Sequence, residues 1–446
     1  MCGCKEVKIK LGKKITFAIA GLGSRGKDVY AKAIAAHPEK MEITAVADID
    51  PKKVNIAKEL YHIPEERCFD SVEKMLEQEK LADAMVIATQ DRQHVGHAIP
   101  ALRKGYHLLL EKPVSPDLDE CRQIVEVAKE CNRKVVVCHV LRYTPLYRKV
   151  KELLDAGTIG SVVSIMAAEH VGWFHMAHSF VRGNWNNSDT TSPMILQKCC
   201  HDMDLYLWLA GKKCKSLSSY GSTYLFKKEN APEGCKERCT DGCRYQGICP
   251  FDAESVYLDN RLIGYRSGNR IWPLDVLTQE VTEENIRRAI ETGKFGRCVY
   301  HCDNNVVDHQ VVNLNMTDGS TMSFTMTGFS PDIARYARFY GTKGELVVNM
   351  DANEPEKSSI QIKKFASDIP EESVDVMSLS DDFTGHGGGD VVMVEEFADI
   401  LLDNIKESSS ITSLEHSVES HYCALAAEES RLNGGRAIDL DHYRNG

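Results

Sequence analysis

The sequence predicts an α/β protein in which a doubly wound parallel sheet is followed by an α+β domain with a large open, mostly antiparallel sheet. Three observations predict it. The apolar run Ile15 to Ala20 stops at a glycine turn, Gly21 to Gly26, and a helix-spaced segment follows. Short apolar runs then alternate with helical patterns of about 10–15 residues up to residue 141. After Arg142 strand-like runs succeed one another directly.

In the first part the elements read in order as a helix over Lys27 to His37, a strand over Ile43 to Asp48, a helix near Pro51 to Leu60 and another near Ser71 to Glu79. The strand Ala84 to Ala88, a helix from about His94 to Lys104, the strand His107 to Leu110, a helix over Asp117 to Cys131 and the strand Val135 to Cys138 complete it. Strand, helix, strand repeats of this kind make βαβ units. In the second part the strands are Val162 to Glu169, Val311 to Met316, Thr321 to Thr327 and Ala337 to Tyr340, with a turn at Thr317-Asp318-Gly319. The expected domains are therefore 14–141 and 142–446. Gly211 to Arg297 reads as a Cys-, Gly- and Asn-rich insertion, about 212–297, with weak periodicity.

At 446 residues and 43% hydrophobic, the chain is long enough for two or three domains without disulfide staples. A net charge of −11 argues against nucleic acid or an anionic membrane as the main partner, and no apolar stretch approaches the ~18 residues of a membrane span. Met1 to Lys14 is charged and lacks the apolar stretch of a secretory signal, so a cytoplasmic location is expected. Cys68, Cys121, Cys131, Cys138 and Cys423 sit singly in apolar segments and need no chemistry.

Gly21-Leu22-Gly23-Ser24-Arg25-Gly26 is G-x-G-x-x-G between a strand and a helix, the context in which the motif binds a dinucleotide pyrophosphate. Asp48 ends the second strand about 20 residues later, where a carboxylate holds the ribose hydroxyls and repels a 2′-phosphate. NAD is the expected cofactor. Ile87-Ala88-Thr89-Gln90-Asp91-Arg92-Gln93-His94, then Glu111-Lys112-Pro113, then Arg142-Tyr143 resemble in order and spacing the glucose-fructose oxidoreductase/inositol dehydrogenase (Gfo/Idh/MocA) family. The resemblance is dense here and thinner out to Gly385-His386-Gly387-Gly388-Gly389-Asp390. It implies a Rossmann domain plus an α/β domain, nicotinamide between them, a sugar or polyol substrate and a homo-oligomer. It also implies cofactor contacts by Thr89, His94, Glu111, Lys112 and Arg142, and a cis peptide before Pro113.

Hydride abstraction from a carbinol needs a group that takes or stabilises the hydroxyl proton. Lys112 occupies the matching position in Glu-Lys-Pro; the alternative is a surface lysine at a strand end. Ser192 to Gly211 reads as one helix on which Gln197, His201 and Asp204 share a face and Lys198 borders it. The family pattern places an Asp four residues before the His. Here that residue is Gln197, which cannot relay a proton, so Lys198 or Asp202 is expected to take part of the role beside His201. Glu169, His175, His178 and Trp185, with His170 and Arg182, form a polar and aromatic segment suited to a sugar, or simply a polar loop. His386 is a further candidate for substrate contact, and Asp390 a candidate N-cap for a helix over Val391 to Leu402.

Cys235, Cys239, Cys243 and Cys249 stand at spacings of three, three and five intervening residues. In a cytosolic chain four such thiols read as a structural Zn site, with an iron–sulfur cluster, disulfides or free thiols as alternatives. Cys298 and Cys302 read as loop packing. The function expected is an NAD-dependent oxidoreductase acting on a sugar or glycoside hydroxyl. The alternatives are a glycoside hydrolase that works by oxidation, elimination, hydration and reduction with NAD, and a non-catalytic nucleotide-sensing regulator on the same fold.

Overall fold

The structure, a computed structural model, describes residues 13–445 except 366, 367, 369, 370 and 407. The segment 1–12, most of the stretch read as lacking a signal, lies outside the described residues. The chain divides into two compact units.

The first unit holds a six-stranded sheet: β1 Ile15–Ala20, β2 Met41–Ala47, β3 Cys68–Phe69, β4 Ala84–Ile87, β5 His107–Leu110 and β6 Val135–Val137. All pairings are parallel in the order β3-β2-β1-β4-β5-β6. The order reverses between β1 and β4, so a crevice opens at their carboxyl ends, where such sheets bind ligands. The strands lie between helices and are correspondingly apolar, Ala84–Ile87 being buried throughout. Helices stand where the sequence places them, and side chains start several of them: Asp50 accepts from Lys52 N–H, Ser71 from Lys74 N–H, and Asp117 from Asp119 and Glu120 N–H. The helix after the glycine turn opens as a wide π-helical segment, Ser24–Ala31, and tightens to an α-helix at Lys32–Ala35.

Residues 382–418 group with this first compact unit. The helix Gly389–Leu401 turns Met393, Val394, Phe397 and Ala398 into the core that contains Phe17, Ile19 and Ile34. Phe397 lies 6.2 Å from Phe17, ring centre to ring centre, and a fully buried Phe is worth about 1.5–3 kcal/mol. Lys40 Nζ pairs with Asp399 at 2.6 Å, and Arg148 pairs with Glu396.

The second unit holds β7 Val162–His170, β8 Cys214–Ser222, β9 His309–Met316, β10 Thr321–Thr327, β11 Ala334–Gly341, β12 Gly344–Asp351, β13 Ser359–Lys364, β14 Glu372–Val374 and β15 Ile438–Asp439. Their order is β14-β13-β12-β11-β7-β10-β9-β8-β15, antiparallel except for the β7–β10 pair. Side chains alternate as one buried face requires: Val312, Leu314 and Met316 are covered, as are Met322, Phe324 and Met326. The other face exposes Met166, Val311, Tyr336 and Tyr340. β8 falls inside the stretch read as an insertion. Its sequence, CKSLSSYGS, carries too few apolar residues to announce a strand, and the insertion proper runs from 223 to 297. That segment packs a small core around Val256, Tyr257, Leu258, Ile286 and Ile290, which Phe174 and Ile333 from outside it join. Among the described residues no helix is long and apolar enough to cross a membrane.

Candidate active site

The glycine turn has the geometry its residues dictate. Gly21 has φ +91°, and a Cβ there would lie 2.5 Å from Ala88 O, while a Cβ on Gly26 would lie 1.9 Å from Gly21 O. Both positions therefore exclude a side chain. A Cβ on Gly23 would meet nothing within 4 Å, so this position faces open space at the start of the helix. No side chain caps that helix start, which leaves its amides available to an anion. Asp48, 9% exposed, ties the turn to β2: its Oδ2 accepts from Leu22 N–H at 2.6 Å and its Oδ1 from Asp50 N–H at 2.9 Å. The turn, the open position and the carboxylate fit a dinucleotide.

Arg25 points inward. Its Nε donates to Glu111 Oε1 at 2.6 Å and its Nη2 to Asp390 Oδ1 at 2.7 Å, while Tyr30 OH donates to Glu111. Asp390 Oδ2 in turn faces His386 Nδ1 at 3.0 Å. Burial pushes the Glu111 and Asp390 carboxyls up, but Arg25 outweighs it and holds both below the ordinary carboxylate range. Asp390 is thus no N-cap: the helix begins at Gly389 after the left-handed Gly388, and the carboxylate serves Arg25 and His386. Lys112 follows Glu111 at the end of β5. Its N–H donates to Glu111 Oε2 at 2.9 Å, and the Lys112–Pro113 peptide is cis. His139 and Arg142, both buried, lie at the end of β6. Burial, then Arg142 and Lys112, push the His139 imidazole well below its ordinary range, so it is neutral. His139 and Tyr30 went unnoticed in the sequence because neither belongs to a local motif. His94 is 1% exposed with Nδ1 2.7 Å from Pro113 O and Nε2 3.1 Å from Thr89 O. Its side chain braces those two turns rather than reaching outward to a cofactor. Thr89 Oγ1 lies 3.1 Å from His97 Nδ1.

In the second unit the expected single helix is two, Met194–Gln197 and Cys200–Ala210, with a break at Lys198 and Cys199. The break lets Lys198 turn to Glu169, with Nζ 3.2 Å from Oε1. Arg335 stands opposite Glu169 in the β11–β7 register and bridges two carboxylates: Nη2 is 3.0 Å from Glu169 Oε2 and Nε is 2.9 Å from Asp202 Oδ1. Glu169 and Asp202 are 0% exposed, so they act as a buried frame beside His201 and not as direct sugar contacts. Burial, with Glu169 adding to it against Arg335, pushes the Asp202 carboxyl up to about 7. Gln197, His201 and Asp204 are all buried.

The aromatic segment after β7 splits. His178, 2% exposed, stacks on Phe295 at 4.8 Å and meets Tyr257 OH at 3.0 Å. It is core of the insertion, not sugar site. His175 lies edge-on to Trp272 at 4.9 Å, and Trp185 packs 6.3 Å from Phe180. The four insertion cysteines line one cavity with Cys298, and no disulfide joins any of the described cysteines. Among the described residues no three His, Cys, Asp or Glu side chains converge on one point to hold a single ion.

Residues 15–139 match the model of an oxidoreductase family with an NAD-binding Rossmann fold, and residues 151–440 match that family's C-terminal alpha/beta domain. The chain belongs to the Gfo/Idh/MocA oxidoreductase family. This Gfo/Idh/MocA protein is 24% identical over 399 residues to YteT of Bacillus subtilis, covering 86% of this chain and 88% of that one. It is 24% identical over 208 residues to inositol 2-dehydrogenase of Corynebacterium glutamicum, spanning 46% of this chain and 57% of that enzyme. The fold is that of the WlbA dehydrogenase from Bordetella pertussis, solved with NADH and UDP-GlcNAcA: TM-score 0.63, 18% identity, 96% of this chain and 99% of that one.

Proposed function

We propose that this oxidoreductase takes hydride from a carbinol carbon of a sugar or glycoside, with NAD as cofactor. The observation that carries the reading is the end of β5, where Lys112 is fixed beside a buried Glu111 that Arg25 of the glycine turn holds ionised. Bound NAD supplies the hydride acceptor. The glycine-turn amides hold its pyrophosphate and Asp48 its ribose hydroxyls. Lys112 steadies the substrate oxygen as negative charge develops there, and His201, framed by Lys198 and Asp202, takes the proton. A carbohydrate is supported by the relatives named for inositol and for a UDP-sugar acid complex. Met166, Val311, Tyr336 and Tyr340 on the open sheet face support self-association, since monomers rarely leave such patches uncovered.

The second reading, a redox-neutral glycoside cleavage on the same nicotinamide, needs proton-transfer groups beyond Lys112 and His201. A panel of free sugars, polyols and aryl glycosides decides. NADH released from free sugars supports the dehydrogenase; aglycone released without net NADH moves the assignment to the cleavage cycle. Neither signal, in protein shown by calorimetry to bind NAD, would leave a nucleotide-sensing protein.

A further inference from the structure

The insertion folds against a loop that brings a fifth thiol. Cys239 N–H donates to Gly296 O at 3.0 Å and Cys298 N–H to Glu237 O at 2.9 Å, flanking an antiparallel bridge between Arg238 and Arg297. That pairing places Cys239 and Cys298 on the same face, diagonally across the bridge, both buried. The Cys235 thiol lies close enough to those of Cys243 and Cys298 to interact with them electrostatically. With Cys249, these five line one cavity of about 200 Å³. Among the described residues no three ligating side chains are already gathered on a single ion position, but five thiols from two segments on one cavity are the ligand type that zinc and iron–sulfur centres take.

Charge gives an independent sign. Arg182 is 2% exposed and lines the same cavity. Its Nη2 donates to Cys239 Sγ at 3.6 Å and to Phe251 O at 2.7 Å, and its Nε to Arg297 O at 2.7 Å. Among the described residues no carboxylate pairs with it. Asp252, also on the cavity wall, accepts from Ser255 N–H and hydroxyl instead. A buried cation without a counter-charge is costly. Thiols that ligate a metal lose their protons to solvent as the sulfur–metal bonds form. Four thiolates around Zn²⁺, or around an iron–sulfur core, leave the centre net negative.

We propose that Cys235, Cys239, Cys243, Cys249 and Cys298 are the ligand pool of a metal–thiolate centre of net negative charge, with Arg182 as its buried counter-ion. The centre clamps the insertion to the 296–298 loop and adds its binding free energy to folding. Because it goes beyond the assigned redox reaction and is read by metal content, its failure leaves that assignment untouched.

The test is metal and acid-labile sulfide analysis of the full chain purified without oxygen, then challenged with a chelator. Iron with sulfide, near four of each per chain, or zinc near one per chain, is the expected result, and the two outcomes tell cluster from ion. Cys298→Ser and Arg182→Gln should each lose metal to the chelator about 10-fold faster or more, and chelation should lower the unfolding midpoint of the wild type. Wild-type protein that holds under a tenth of an equivalent, both as purified and after incubation with zinc or with ferrous iron and sulfide, would overturn the proposal. Disulfides among these cysteines in metal-free protein would overturn it as well, and unchanged retention in Arg182→Gln would remove the counter-ion.

Discussion

Arg25 and Asp390 stand 365 residues apart in sequence and 2.7 Å apart in space. The pair links the variable position of the glycine turn to the first turn of the helix Gly389–Leu401, and through Glu111 it reaches the Lys112 backbone. Arg25→Met would leave two buried carboxylates without their cation. It should destabilise the protein by about 3–5 kcal/mol, read as a shift in the urea midpoint. Asp390→Asn, which leaves Arg25 on Glu111, should cost less.

Gly23 and Gly26 make different demands. Gly26→Ala places a Cβ 1.9 Å from Gly21 O and should distort the turn, lowering the thermal midpoint. Gly23→Ala has open space and an extended backbone, φ −68°, so it should fold normally. It should nonetheless bind NAD at least about 10-fold more weakly, because the methyl fills the space the pyrophosphate approaches. Calorimetric titration beside a melting curve separates the two effects.

Asp48→Ala should weaken NAD binding by about 1–3 kcal/mol and narrow its advantage over NADP, since a charged acceptor is lost and with it the repulsion of a 2′-phosphate. Leu22 and Asp50 N–H lose their acceptor too, so stability is measured alongside. A wild type that binds NADP more tightly than NAD would contradict the carboxylate's role.

Burial, with Arg182 adding to it, pushes the His178 imidazole down to about 3. Its ordinary value is about 6.5, so in acid the unfolded chain takes up a proton that the folded one refuses. The stability from neutral His178 is complete above about pH 6.5 and is lost as pH falls toward 3. In His178→Phe the loss between about pH 6.5 and 5 should be shallower by up to about 1.4 kcal/mol per pH unit, whatever the constant cost of orphaning Tyr257 OH. Urea melts at the two pH values measure it, and parallel curves for variant and wild type would refute it.

What was legible in the sequence was local. The glycine turn, Asp48 and Glu111-Lys112-Pro113 each announce themselves within a few residues, because a turn's sterics and a strand's end are set by neighbours in the chain. The partners that make them work are not neighbours. Arg25 finds Asp390, and Arg335 finds Glu169 only through the β11–β7 register; no spacing rule reaches that far. His178 misled for the opposite reason: a histidine among aromatic residues looks the same in sequence whether it lines a sugar site or fills a core. The helix Gly389–Leu401 displays an apolar stripe, but nothing in the stripe says that Phe17 is what it covers.

The central claim is that Lys112 and His201 carry the proton of the carbinol as hydride leaves. Single-turnover NADH formation, with whichever sugar or glycoside the panel identifies, tests it most directly. Lys112→Ala and His201→Ala should each slow the step about 10²-fold or more while NAD binding stays near wild type, and the double variant should lose little beyond the worse single one. Full single-turnover rate in Lys112→Ala would contradict the account.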